Sequence, residues 1–168
     1  DFATLAISGE RSRIGPNKEH VMKAEIIAVG SELLMGDVIN SNAAWISQQL
    51  ALLGVDVHYH VAVGDNPARI QGVVTQAIAR SELLIFTGGL GPTEDDLTRE
   101  SVAAMIGEAL RVDPSLEASL RAYFTSRGGP MPERNVKQAT LTPSTRALLN
   151  PIGTAPGWWT EKNGHILV

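Results

Sequence analysis

Two different periods of apolar and polar residues follow one another along this chain, and each switch between them marks an element. Residues 24–30 (AEIIAVG) are an apolar run closed by glycine, the pattern of a strand buried on both faces of a parallel sheet. Beyond a polar stretch, Ala43, Ile46, Leu50 and Leu53 recur at helical spacing, and Gly54 supplies the stop. Val55, Val57, Tyr59, Val61 and Val63 then alternate with Asp56, His58 and His60, which predicts a half-buried strand. Asp65-Asn66-Pro67 opens a second helix, with Ile70, Val74, Ala77 and Ile78 on one face. Another buried strand, residues 83–87 (LLIFT), runs straight into a glycine-rich turn, and a third helix carries Leu97, Val102, Met105 and Ile106. Asp113-Pro114 caps a fourth helix, which turns Leu116, Leu120, Tyr123 and Phe124 inward and ends at Gly128-Gly129. Prolines and polar residues dominate residues 130–156, predicting loop with at most a short helix. Residues 157–168 read as a hairpin turning at Asn163-Gly164.

Strand and helix thus alternate three times in the first hundred residues, which predicts an α/β fold with a mainly parallel sheet and a C-terminal β-hairpin. Right-handed crossovers bring the strand-to-helix loops to one edge, where open α/β sheets bind ligands. Those loops are residues 30–42, 64–67 and 88–96, all rich in Gly, Asp, Asn, Ser and Thr.

Composition narrows the picture. A chain of 168 residues suits one domain, and 43% hydrophobic residues can fill its core. The net charge of −4, with no cluster of Lys and Arg, argues against direct nucleic-acid contact. No apolar run approaches the ~18 residues that span a bilayer, so no membrane partner is expected. The absence of cysteine excludes a disulfide scaffold and any thiolate nucleophile or metal site, and is compatible with a cytoplasmic location. Residues 1–21 show neither period and lack the plan of a secretory signal; they read as a disordered extension outside a domain of residues 22–168. Residues 165–168 end the sequence inside an apolar strand, so the domain is expected to be cut short there.

The strongest local signal is the run 87–98 (TGGLGPTEDDLT). Three glycines let backbone amides approach a ligand, and the helix start adds a positive dipole end, an environment suited to phosphate. Glu94, Asp95 and Asp96 would repel a bare phosphate, so glycines beside carboxylates point to a metal-bridged phosphate or pyrophosphate. The competing reading is that these acids cap the helix, with Thr93 or Asp95 as N-cap. Ser31 and Glu32 stand just past the first strand, where side chains meet ligands. Asn40, Ser41 and Asn42 are candidate helix caps, Ser41 and Asn42 foremost, and Asp65 is either a cap or a catalytic group. His58 and His60 share one side of their strand, but two ligands without a third make a weak metal site. Trp158 and Trp159 point to opposite faces, so at most one can stack on a ligand. Residues 150–157 (NPIGTAPG) either admit a ligand edge or shape a rigid turn.

Taken in order, residues 30–32 (GSE), 88–93 (GGLGPT) with Asp95-Asp96, and 150–157 resemble the amino-terminal domains of the competence/damage-inducible (CinA) family, within the molybdopterin-binding-like superfamily. The resemblance runs from residue 22 to 168. It implies a three-layer α/β sandwich and a metal-dependent hydrolase of the pyrophosphate bond in ADP-ribose or a similar nucleotide. The implied substrate site comprises Gly30, Ser31, Glu32, Gly88, Gly89, Gly91, Pro92, Thr93, Asn150, Gly153 and Thr154. A divalent cation (Mg, Mn or Co) would sit on Asp95, Asp96 and Glu32, with Asp65, Asp95 and Asp96 as the catalytic carboxylates. By position, the aspartates important in molybdopterin relatives match Asp65 and Asp95 or Asp96. Lys137 or Arg146 could neutralise charge, although both also read as surface residues. Other readings of the same motifs are a molybdopterin- or nucleotide-binding module without turnover, and a partner-recognition domain linked to competence. The expected partner is a small nucleotide or pterin, and self-association into a homo-oligomer is expected too. The family's deamidating carboxyl-terminal domain has no counterpart in these residues, and neither does the leucine-proline-glycine loop and glutamate that follow the last strand.

Overall fold

The computed structural model describes residues 21–168; the expectation for residues 1–20 lies outside them. In chain order the elements are β1 (Lys23–Val29), α1 (Ser31–Met35), α2 (Ser41–Leu52), β2 (Asp56–Val63), α3 (Pro67–Ile78), β3 (Leu83–Thr87) and α4 (Thr98–Ile106). There follow β4 (Arg111–Val112), α5 (Pro114–Ser126), a 3-10 helix (Glu133–Ala139), β5 (Thr140–Leu141), β6 (Thr145–Leu148), β7 (Gly157–Lys162) and β8 (His165–Leu167).

Six strands form one sheet in the order β2-β1-β3-β8-β7-β6. The first four run parallel, while β7 pairs antiparallel with both β8 and β6, so the sheet is mixed but mainly parallel on the side of the loops of interest. Alternation along β1 creates the two packed faces. Ile27 and Val29 meet Ile70, Val74 and Ala77 of α3 and Val102 and Ile106 of α4. Ala24 and Ile26 face the other way, against Ala43 and Leu50 of α2. Helices therefore cover both faces in three layers, which is why β1 and β3 carry continuous apolar runs. A buried charge lies within the central strand: Glu25, with no exposed surface, is held by Arg80 through Nε at 2.9 Å and Nη2 at 2.6 Å.

Local chemistry explains most boundaries. Asn66 caps α3 by accepting from the Arg69 amide at 3.1 Å, and Pro67 occupies the first turn. The hairpin turns on Asn163 (φ 52°) and Gly164 (φ 81°), the left-handed pair that a two-residue connection between twisted strands requires. Several expectations are corrected. Asn40 caps α2, accepting from the Ala43 amide at 3.1 Å, in place of Ser41 or Asn42. Residues 31–35 are a short helix, not open loop. The stretch 130–156 contains the 3-10 helix and the strands β5 and β6, the latter completing the sheet against β7. Its polar residues showed no period because β5 and β6, of two and four residues, are too short to display one. β2 is also more exposed than its alternation implied, because it lies at the sheet edge.

Candidate functional site

The loops after β1, β2 and β3 reach one edge of the sheet, as the alternation required. The glycine turn itself is closed by its own side chains. Gly88 sits at φ +85°, and a Cβ there would strike the Val29 carbonyl; Gly89 sits at φ +61°, with the Thr98 hydroxyl in the space a Cβ would take. These glycines thus let the turn pack against the end of β1 and the start of α4. Thr98 fastens the turn, its Oγ donating to Gly88 O at 2.8 Å and its amide to Gly89 O at 3.2 Å.

Asp96 is committed inside the turn. Its carboxylate accepts from the Gly91 amide at 2.7 Å, the Thr93 amide at 2.8 Å and the Thr93 hydroxyl at 2.5 Å. Partial burial pushes this carboxyl upward, but the Thr93 hydroxyl, the two amides and Lys137 outweigh it and leave its pKa below the usual value. Lys137 reaches in from the 3-10 helix, donating to Thr93 O at 2.8 Å and Asp96 O at 2.5 Å and pairing with Glu100 at 3.1 Å. It is a brace of the turn, not the surface residue that its polar neighbourhood implied. The amides of Gly91 and Thr93, expected to face a phosphate, are both bonded to Asp96 in this structure. Thr93 and Asp95 do not cap α4 either: its N-cap is Leu97, without a side-chain bond.

Asp65 and Ser31 form a second structural pair. Asp65 accepts from the Ser31 amide at 2.8 Å and hydroxyl at 2.9 Å, tying the loop after β2 to the start of α1. The Glu32 carboxylate lies over Gly30, where a Cβ would collide with it. Asp95 is exposed. Glu32, Asp95 and Asp96 therefore do not assemble: among the described residues no group of three His, Cys, Asp or Glu side chains is placed to hold a metal ion. The residues present do not fit a preformed cation site, with the Asp96 oxygens turned onto backbone donors. His60 bonds Ser47 Oγ at 2.7 Å and His58 lies edge-on to Tyr59, so these histidines serve the strand surface.

The space for a ligand lies beside the turn. A cleft of about 370 Å³ opens between Leu90, Thr98, Arg99 and Val102 on one side and residues 148–151, Ala155, Gly157 and Trp158 on the other, with Phe86 and Leu167 at its base. Two of the sequence motifs, the glycine turn and the 150–157 segment, thus meet around one cavity of the size that ligand sites use. Asn150 shapes this wall by bonding Ala155 O through Nδ2 and the Ile152 amide through Oδ1, both at 3.1 Å. Gly153 and Thr154 line a separate depression against α5. Trp158 faces the cleft, while Trp159 turns to the opposite face under Arg146 and bonds Glu161 at 2.7 Å, as alternation along a strand demands.

One residue of the cleft was missed in the sequence. Arg99 is 1% exposed, and its Nη1 donates to Leu90 O at 2.6 Å. No sequence signal marks it: the structure buries Thr98, Arg99, Ser101, Val102 and Ala103 together, whereas an arginine in a first helical turn ordinarily meets solvent. Burial pulls its pKa down to about 10, partly offset by Glu100 and Asp96, and it stays protonated at neutral pH.

This architecture, a mainly parallel sheet between helices with a cleft beside a glycine turn at the strand ends, is that of a three-layer α/β domain. Residues 25–168 match the family model described as a probable molybdopterin binding domain, and the chain belongs to that family. It is similar to a CinA-like protein of Thermomicrobium roseum (45% identity over 147 residues, 88% of this chain and 36% of the relative). It is also similar to a putative competence-damage inducible protein of Symbiobacterium thermophilum (48% over 147 residues, 88% of this chain and 34% of the relative). The chain spans about a third of the length of such relatives. Among solved structures, the CinA protein of Thermoplasma acidophilum superposes with a TM-score of 0.80 at 36% identity, covering 88% of this chain and 86% of that one. A molybdopterin biosynthesis protein of Mycobacterium abscessus shares the fold, with a TM-score of 0.56 at 20% identity over 88% of this chain and 79% of that one. Among the described residues no helix is long and apolar enough to cross a membrane.

Proposed function

We propose that this domain binds a phosphorylated small molecule, a nucleotide of the ADP-ribose type or a pterin, in the cleft between the glycine turn and the 148–158 segment. The observation that carries this is the convergence of two separated motifs on one 370 Å³ cavity. Its walls supply apolar area for a flat ring from Phe86, Val102, Leu148 and Trp158, with few polar groups, the usual division of labour in small-molecule sites. The kinship with CinA proteins extends the proposal to chemistry: cleavage of the pyrophosphate bond of such a nucleotide. Asp95 and Glu32, neither of them in the cleft lining nor bonded into the turn as Asp96 is, are the carboxylates we propose for it. A second reading, binding without turnover, is favoured by one observation: Asp96 is spent on the turn and no three acidic or histidine side chains gather at the cleft.

The test is incubation of the purified domain with ADP-ribose, with and without Mg²⁺, Mn²⁺ or Co²⁺, following binding by calorimetry and AMP by chromatography. AMP released only with metal, and lost in Asp95→Ala, establishes the hydrolase. Binding without AMP leaves the binding module. Neither binding nor turnover, with ADP-ribose or with a pterin phosphate, refutes the proposal.

A further inference from the structure

The cleft contains an arginine with unmet bonding capacity. Arg99 lies in the first turn of α4, forms part of the cleft wall, and uses Nη1 to reach Leu90 O at 2.6 Å. Its Nε and Nη2 are buried with no hydrogen-bond partner, and so is Nε1 of Trp158 on the facing strand β7. No carboxylate pairs with it. The nearby Glu100 is pulled to Lys137 at 3.1 Å, and Asp96 is bonded to the amides of Gly91 and Thr93. A buried cation that feels Glu100 and Asp96 only through space, with its own Nε and Nη2 lacking acceptors, is costly in the free protein. Bracing the turn does not account for it: Leu90 O needs one donor, Gln138 also approaches that carbonyl at 3.5 Å, and neither bond requires a charge.

We propose that Arg99 is the anion-recognising residue of this cleft, engaging a phosphate of the ligand through its free guanidinium edge while the Trp158 indole N–H adds a second donor. The proposal rests on the reading of the cleft as a nucleotide or pterin site, and deepens it by saying what the site recognises. A guanidinium edge offers parallel donors that match two phosphate oxygens, whereas the apolar walls accommodate the ring. Arg99 is the one ionisable side chain among the residues that line the cleft.

The experiment compares wild type, Arg99→Met, Arg99→Gln and Arg99→Lys, each checked for folding by circular dichroism. The probes are ADP-ribose, inorganic pyrophosphate and uncharged adenosine, read by quenching of tryptophan fluorescence and by calorimetry. Arg99→Met and Arg99→Gln are expected to lose roughly ten- to a hundredfold in affinity for ADP-ribose and pyrophosphate, the effect of removing a bond to a charged group. Adenosine affinity should be unchanged, and Arg99→Lys should recover part of the loss. Glutamine keeps a donor for Leu90 O, so its failure to bind anions cannot be laid to a collapsed turn. Wild type and variants binding both anions equally would overturn the assignment while leaving the cleft as the site. Equal weakening of anionic and uncharged probes would also overturn it, showing that Arg99 merely shapes the wall. Wild type binding none of the three would instead bring down the reading of the cleft, and this proposal with it.

Discussion

Replacement of Asp96 by alanine separates a structural aspartate from a metal-binding one. The native carboxylate accepts three hydrogen bonds, from the amides of Gly91 and Thr93 and from the Thr93 hydroxyl, at 2.5–2.8 Å. Truncation leaves two amides of a tight turn without acceptors, a loss comparable with that of a helix cap, about 1–2 kcal/mol, with a smaller addition from the hydroxyl. Because the group is half-exposed, water takes over part of the bonding, and we expect about 2 kcal/mol in all. For a domain of this size that is a fall in Tm of about 4–8 °C at pH 7. The effect has a pH signature. The folded pKa of Asp96 lies below its unfolded value, so its stabilisation is complete above the unfolded pKa and disappears as pH falls through the folded one. Thermal melts of wild type and Asp96→Ala from pH 7 into acid should therefore converge. A variant that melts with the wild type at pH 7 yet loses metal-dependent turnover would refute the clamp and restore Asp96 to the cation.

Two further stability predictions test the framework around the site. Gly88→Ala, at φ +85° with its Cβ directed onto the Val29 carbonyl, should cost about 3 kcal/mol or more and show in urea titrations or as insoluble expression. Glu108 accepts from Lys162 Nζ at 2.6 Å, from the Ser144 amide at 2.9 Å and from the Ser144 hydroxyl; these bonds, that of Lys162 foremost, lower its pKa to about 2. Its stabilisation is thus full above the ordinary glutamate pKa and fades as pH drops toward 2, so Lys162→Met should flatten the stability profile across that window in denaturant melts.

Much of the scaffold was legible because it is written in periods. Apolar runs at residues 24–30 and 83–87, helical spacing from Ile70 to Ile78 and the Asn163-Gly164 turn each act over a few residues and were answered in the structure. The segment between residues 130 and 156 was not, since β6 exists only by pairing with β7 across the 150–157 loop. The motifs point to the cleft proposed as the site, while the structure gives several of their residues bonds within the turn. Three glycines and three acids suggest a phosphate and a metal, yet close packing against Val29 and Thr98 accounts for Gly88 and Gly89, and turn closure accounts for Asp96.

What the sequence by itself determined was the layering, the edge on which the loops gather, and the family, because hydrophobic period and motif order survive without coordinates. What the tertiary structure decided was which polar atoms are already spent and which are not. A carboxylate or a guanidinium has the same symbol whether it bonds its own turn or stands unpaired in a wall. Only the positions of Leu90, Lys137 and Trp158, brought together from residues far apart in the chain, distinguish the clamped Asp96 from the unsatisfied Arg99.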